Sequence, residues 1–320
     1  MTQMTRRALL AGSAALAASP ALASAPIVDT QAPGFYRYKV GDYELTQLSD
    51  GAATFPMPDN FVTNVSEDRA IAEAARLYLA PRGEVTVPFN PVLINTGNKL
   101  ILIDTGYGPN VSPFVGHLPA SLAAAGMSPE QIDTVIISHI HPDHTNGLHT
   151  KEGALAFPNA EILMPEKDWA FWMSAENAAK ADDPVSKAYF ANARKTLTDL
   201  VDHVGTYGWD KEVAPGVMSI ATPGHTPGHT SFAVASGKDR IFVQSDVTNI
   251  PAFFLRHPDW HVMYDHDPEL AQRTRHRFYD MAAVEKALVV GYHFPFPSLG
   301  HVEKNNTGYR LVPANWSTTV

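Results

Sequence analysis

The stretch ISHIHPDHTNG, residues 137 to 147, limits this chain more than any other. It places His139, His141, Asp143 and His144 within six positions, directly after the apolar run Val135 to Ile137. A strand running into such a loop delivers four metal-capable side chains to its carboxyl end. Residues two apart on extended chain point the same way, so His139 and His141 share one direction. Asp143 and His144 turn back toward a second position, and one loop can therefore serve two cations. Three more candidates each follow a β-like run: His225 in TPGHTPGH, Asp246 closing IFVQSD, and His293 closing LVVGYH. All can converge on one sheet edge. His301 lies close enough in sequence to contest the role of His293, and the repeated Pro-Gly around His229 favours a turn or supporting role for that imidazole.

Composition narrows the chemistry. The 320 residues contain no cysteine, so disulfides are excluded and every metal ligand must be a histidine or a carboxylate. Acidic residues outnumber basic ones 33 to 24, which leaves no basic surface for a nucleic-acid backbone. A nucleic-acid partner is not expected.

The beginning of the chain has the pattern of an export signal. Arg6 and Arg7 precede an Ala/Leu run that Gly12, Ser13 and Pro20 interrupt, too weakly apolar for a membrane span. Ala21 and Ala23 offer a cleavage site. Residues 1–23 are thus expected to be a cleaved twin-arginine signal, and residues 24–320 a single domain that is periplasmic or secreted, with no membrane anchor. Loss of the two arginines moves the formal charge from -9 to -11.

The remainder reads as mixed α/β. Alternating residues about Gly41-Asp42 and Gly97-Asn98 predict hairpins in an amino-terminal meander. Helices are predicted at about 118–125 and 268–286, with a long helical region over about 167–204. The segment NIPAFFLRHPDWHVMY is too Pro-broken for a long helix and is expected to form a pocket rim. Strand-and-helix runs occur twice, which predicts two β-plus-helix halves packed sheet to sheet.

The ordered set H-x-H-x-D-H, PGHTPGH, strand-terminal Asp and strand-terminal His resembles the metallo-β-lactamase fold. That resemblance implies an α/β chain in an αββα four-layer sandwich. It also implies two divalent metal ions, zinc by default: His139, His141 and His225 would hold one, Asp143, His144 and His293 the other, and Asp246 would bridge them. Asp104 in LIDTG either caps its own turn or accepts a proton from a ligand imidazole. The absence of cysteine excludes the branch with a Cys ligand.

Further pieces, among them PGFYRYKVGDYELTQLSDG, AFPNAEILMPEKDWAFW, HFPFPSLGHV and GYRLVPANW, resemble the methyl parathion hydrolase group and its lactone- and aryl-ester-hydrolysing relatives. This implies a hydrolase in which a hydroxide between the metals attacks a small lactone, aryl ester or phosphotriester. Asp246 would fix the metal separation and Asp143 would orient the hydroxide. It also implies a homodimer and substrate contacts from Trp172 and Tyr189. Asn249 and Tyr264 depart from the apolar pocket residues of the phosphotriesterase, and Asn249 also stands where the homoserine lactonases have a pocket tyrosine, so neither specialised substrate is implied; lactones or aryl esters are expected, with phosphotriesters second. A non-catalytic periplasmic metal-binding protein is the remaining alternative.

Overall fold

The computed structural model describes residues 27–28, 31–79, 84–109 and 111–320; the expected export signal lies outside them. Residues 33–320 form one compact unit. Its first half runs β1 (Phe35–Val40), β2 (Tyr43–Leu48), β3 (Gly51–Pro56), β4 (Glu84–Phe89), β5 (Val92–Asn95), β6 (Leu100–Ile103), β7 (Thr134–Ile136), β8 (Glu161–Pro165) and β9 (Val204–Tyr207). The second half contributes β10 (Glu212–Ala214), β11 (Val217–Ala221), β12 (Thr230–Ser236), β13 (Asp239–Val243), β14 (Leu288–Val290), β15 (Leu299–Asn305) and β16 (Gly308–Pro313). Eight α-helices accompany them: α1 (Glu67–Arg76), α2 (Leu118–Ala124), α3 (Pro142–Thr145), α4 (Glu166–Trp172), α5 (Ala175–Lys180), α6 (Pro184–Leu197), α7 (Pro251–Phe254) and α8 (Pro268–Glu285).

Two seven-stranded sheets result, ordered β1-β2-β5-β6-β7-β8-β9 and β10-β11-β12-β13-β14-β15-β16, while β3 and β4 pair as a separate ribbon. Strand alternation assigns each face to a different core. Ile101 and Ile103 of β6 face the second sheet, packing in one cluster with Phe232, Val234, Ile241 and Val243. Leu102 between them faces outward with Leu122, Trp172 and Phe190, residues of α2, α4 and α6. On the other side Ala233 and Phe242 pack against Phe278 and Tyr279 of α8. Helix, sheet, sheet, helix is therefore the layer order, as the period-two patterns require when both sheets are covered on both faces.

The two predicted hairpins form. Val40 pairs with Tyr43 around Gly41, whose φ of +58° suits glycine, and Asn95 pairs with Leu100. The long helical region breaks into three helices. Ser174 caps α5 by accepting from Asn177 N–H, and Asp183 caps α6 by accepting from Val185 and Ser186 N–H, with Pro184 at the first helical position. Caps and a proline end a helix even where helix-forming residues continue beyond them. Val204 then opens β9 rather than ending a helix. The segment after Asp246 contains one helical turn, α7, and is more buried than a rim: Phe253, Phe254 and Trp260 pack beneath the ribbon with Phe61, Val87 and Phe89.

One buried carboxylate secures the loop that follows β6. Asp50, fully buried, accepts from the backbone N–H of Tyr107 (2.8 Å), Gly116 (3.1 Å) and Leu118 (2.9 Å). A Cβ at Gly106 would stand 2.4 Å from that carboxyl carbon, so the close approach demands glycine. Asp50→Ala leaves three donors without their acceptor and should destabilise the protein by roughly 3 kcal/mol. Urea unfolding should show a lower midpoint at unchanged slope; a wild-type midpoint would mean the loop is held by other contacts.

Candidate metal centre

The strand β7 ends at Ile136, the chain bends at Ser138 and His139, and His141 is extended (φ -106°, ψ 158°) before Pro142 opens the single turn α3. Proline suits a first helical position, since its missing N–H has no intrahelical partner there. The change from this loop to a helical turn gives the four ligand candidates two directions. Coordinating atoms of His139, His141 and His225 lie within 4.8 Å of one another, and those of Asp143, His144, Asp246 and His293 form a second such group. Asp246 belongs to both neighbourhoods. Its Oδ2 is 3.4 Å from His225 Nε2 and 2.9 Å from His293 Nε2, and its Oδ1 is 3.4 Å from His144 Nε2.

Four of the five imidazoles in these groups, all but His141, are aimed by what holds their other nitrogen. His144 Nδ1 donates to Asp104 Oδ2 (2.9 Å), His293 Nδ1 to the Pro88 carbonyl (2.8 Å), and His225 Nδ1 to Asp265 Oδ1 (2.9 Å). His139 Nδ1 faces Ser138 Oγ at 3.1 Å. Asp104 also accepts from Ser138 N–H and Oγ–H, so its carboxylate serves the imidazole. His229 stands apart from the ligand groups. Its Nδ1 donates to the Thr222 carbonyl and its Nε2 accepts from Asp246 N–H, while burial pushes its pKa down to about 3. A neutral His229 thereby braces the backbone of Asp246, whose carboxylate lies between the two groups. His301 is exposed on β15, with Nδ1 donating to the Ala287 carbonyl, and takes no part.

Asp168 was not apparent from spacing. This fully buried carboxylate at the start of α4 accepts from Ile140 N–H (2.8 Å), Thr226 Oγ1–H (2.8 Å) and Gly228 N–H. It thus joins the loop of His139 and His141 to the loop of His225. Tyr292 was likewise missed; its O–H donates to the Asp143 carbonyl at 2.5 Å.

The donor set fits cations. His139 Nε2, His144 Nε2 and Asp246 Oδ1 are buried without a hydrogen-bond partner. Three such atoms in one place are costly unless something positive occupies the space between them. Burial and neighbouring imidazoles hold His139 and His141 well below the ordinary histidine range, in the neutral form a metal needs. Burial also opposes charge at His144 and His293, yet the surrounding carboxylates push both upward: Asp104, Asp143 and Asp246 at His144, Asp246 and Asp143 at His293. Asp246 is drawn well below the carboxylate range against its burial by His293 and His144. Protons and cations therefore compete for these nitrogens. All seven atoms are nitrogen or oxygen, a set compatible with zinc.

The centre opens into a cavity of about 260 Å³. Asp143, Asp246 and His293 form its floor, Asn249 and Tyr264 reach it from the segment after Asp246, and Tyr107 and Tyr189 complete its polar side. Ala53, Phe55, Val87 and Phe89 of the ribbon make an apolar wall; no part of that wall was anticipated from sequence, because a two-stranded ribbon has no distinct pattern of its own. Trp172 does not line this cavity. It is buried beside His141 (ring centroids 5.6 Å apart) and lines an adjoining cavity of about 500 Å³, which shares Tyr189 and Tyr264 with the first.

Residues 87–293 match the model of the metallo-beta-lactamase superfamily. An N-acyl homoserine lactonase of Bacillus cereus is 25% identical over 256 residues, 73% of this chain and 89% of that protein. An uncharacterized protein YobT of Bacillus subtilis is 26% identical over 145 residues, and the match spans 45% of this chain and 56% of YobT. Two solved structures superpose with a TM-score of 0.83 at 28% identity. One is the hydrolase AbOPH in the beta lactamase superfamily, covering 90% of this chain and all of that one; the other is AidC, a dizinc quorum-quenching lactonase in complex with a product, covering 89% and 99%. With its two-part His/Asp centre between paired sheets and a family match over more than half its length, the chain belongs to the metallo-β-lactamase superfamily.

Proposed function

We propose that this metal-dependent hydrolase opens lactones and aryl esters at a pair of zinc ions. His139, His141 and His225 would hold one ion, Asp143, His144 and His293 the other, with Asp246 between them. Two such cations lower the pKa of water toward neutrality and polarise the oxygen of the acyl group under attack. The observation that carries the reading is the cavity lining beside the orphaned ligand atoms: an apolar wall opposite several neutral donors, with no lysine or arginine among the described residues that line it. A neutral substrate with one reacting carbonyl suits such a site, whereas an anionic one finds no lysine or arginine among those residues to pair with.

The chain's own residues then orient the substrate. Burial and the nearby Asp143 push the Tyr264 hydroxyl up to about 12, and burial raises Tyr107 and Tyr189 as well, so all three phenols remain protonated donors. They can hydrogen-bond a ring or leaving oxygen. The Asn249 side chain, 6% exposed and with its Oδ1 unpartnered, is positioned to bond a polar part of the ester. Relatives named as N-acyl homoserine lactonases support the lactone side of the reading. Dihydrocoumarin, an aryl acetate and methyl paraoxon, assayed with and without added zinc, test it: hydrolysis of none of them would leave a non-catalytic metal-binding protein.

We also propose that residues 1–23 direct twin-arginine export, on the strength of Arg6, Arg7 and the small residues Ala21 and Ala23. Replacing both arginines by lysine should leave the uncleaved protein inside the cell on fractionation; unchanged export would remove this proposal.

Elemental analysis should find about two zinc ions per chain. Asp246→Ala should retain one or none, because two cations without their shared anion repel. Two retained ions in that variant would contradict a bridging position. Asn249→Leu should raise the ratio of phosphotriester to lactone kcat/KM by about one order of magnitude, since one pocket contact is worth roughly 1 to 3 kcal/mol and a nitroaryl group prefers an apolar surface. Zinc content should not change. A constant or falling ratio, measured on matched zinc-loaded preparations, would count against the role given to Asn249.

A further inference from the structure

Arg275 is among the largest fully buried side chains of the molecule, at 1% exposure in the middle of α8. Its guanidinium is divided among four partners. Nε donates to the Val247 carbonyl (3.0 Å), and Nη1 donates to the carbonyls of Pro258 (2.7 Å) and Trp260 (2.9 Å). Nη2 donates to Asp265 Oδ2 at 3.4 Å, and the Phe254 ring lies 5.6 Å from the guanidinium carbon. All these partners belong to the segment 247–265, which carries Asn249 near one end and Tyr264 at the other. Asp265 has a second engagement, because its Oδ1 accepts from His225 Nδ1 at 2.9 Å.

A buried cation needs its carboxylate, and a metal-binding imidazole needs the carboxylate that orients it. Here the same carboxylate serves both. Val247 also directly follows Asp246, so the guanidinium restrains the segment beside the shared anion as well as the far side of the cavity.

We propose that Arg275 is a positioning residue that couples cation affinity at His139, His141 and His225 to the shape of the substrate rim. The inference rests on the reading of the chain as a two-cation hydrolase. Lysine at this position keeps the charge but cannot reproduce a planar fork serving Val247, Pro258, Trp260 and Asp265 together. The disturbance reaches His225 through Asp265, and Asn249 and Tyr264 through the backbone. A residue that only supported α8 would affect melting alone.

The test uses Arg275→Lys and Asp265→Asn in the whole chain, with thermal melting as the control for folding. Zinc affinity is read by competition with a chromogenic chelator, and KM and kcat are read with dihydrocoumarin. Both variants should bind one of the two zinc ions roughly 10- to 100-fold more weakly while the other keeps its affinity. In zinc-saturated Arg275→Lys, KM should rise several-fold with a smaller change in kcat. Folded variants whose zinc titration matches wild type, or which lose both ions equally, would overturn the proposal, as would an unchanged KM in both. If Arg275→Lys does not fold, Asp265→Asn decides on the same readouts. Should the wild type hydrolyse no substrate at all, the functional reading fails, and the zinc titrations still decide whether Arg275 controls one site.

Discussion

Everything in this molecule is arranged around polar atoms that the protein itself does not satisfy. Most buried donors and acceptors in a folded chain find a partner, because leaving one bare costs about 1 to 3 kcal/mol. Here His139 Nε2, His144 Nε2 and Asp246 Oδ1 are left bare together at the edge of two sheets. Such a cluster holds its shape only if each ring and carboxylate is gripped from behind. The grips are specific: Asp104 behind His144, Asp265 behind His225, the Pro88 carbonyl behind His293, and His229 behind Asp246.

Those grips come from unrelated parts of the chain. Asp104 follows β6 and has a left-handed φ of +62°, Pro88 belongs to the ribbon, and Asp265 ends the segment that also supplies the cavity's polar side. Substrate wall and metal support are consequently continuous: Val87 and Phe89 line the cavity while Pro88 between them receives His293. Period-two alternation along β4 sends neighbours to different tasks.

Legibility in the sequence followed the range of the interactions. The ligand candidates could be read because short local stretches place them: a loop directly after β7, a proline-started turn, and residues that follow strands. The layers could be anticipated because strand-and-helix runs occur twice along the chain; which core Ile101, Leu102 and Ile103 each enter emerged only with the structure. Asp168, Asp265 and Arg275 could not. Each is buried by partners distant in sequence, Asp168 by Ile140, Thr226 and Gly228, and no local spacing marks a carboxylate destined for the interior. The helical region over 167–204 misled for the opposite reason: its aromatic residues do lie on helices, but Ser174, Asp183 and Pro184 interrupt the region with local capping.

The clamp made by Asp168 has a kinetic consequence. It joins the loop of His139 and His141 to the loop of His225, and those loops come from different sheets, so neither forms a complete nest for a cation alone. Bringing them together requires closing a long stretch of chain, an entropic penalty that only the packed sheets offset. A cation held by both loops would therefore be captured late in folding, after sheet docking, and by opposing separation of the two halves it would slow unfolding more than it speeds folding.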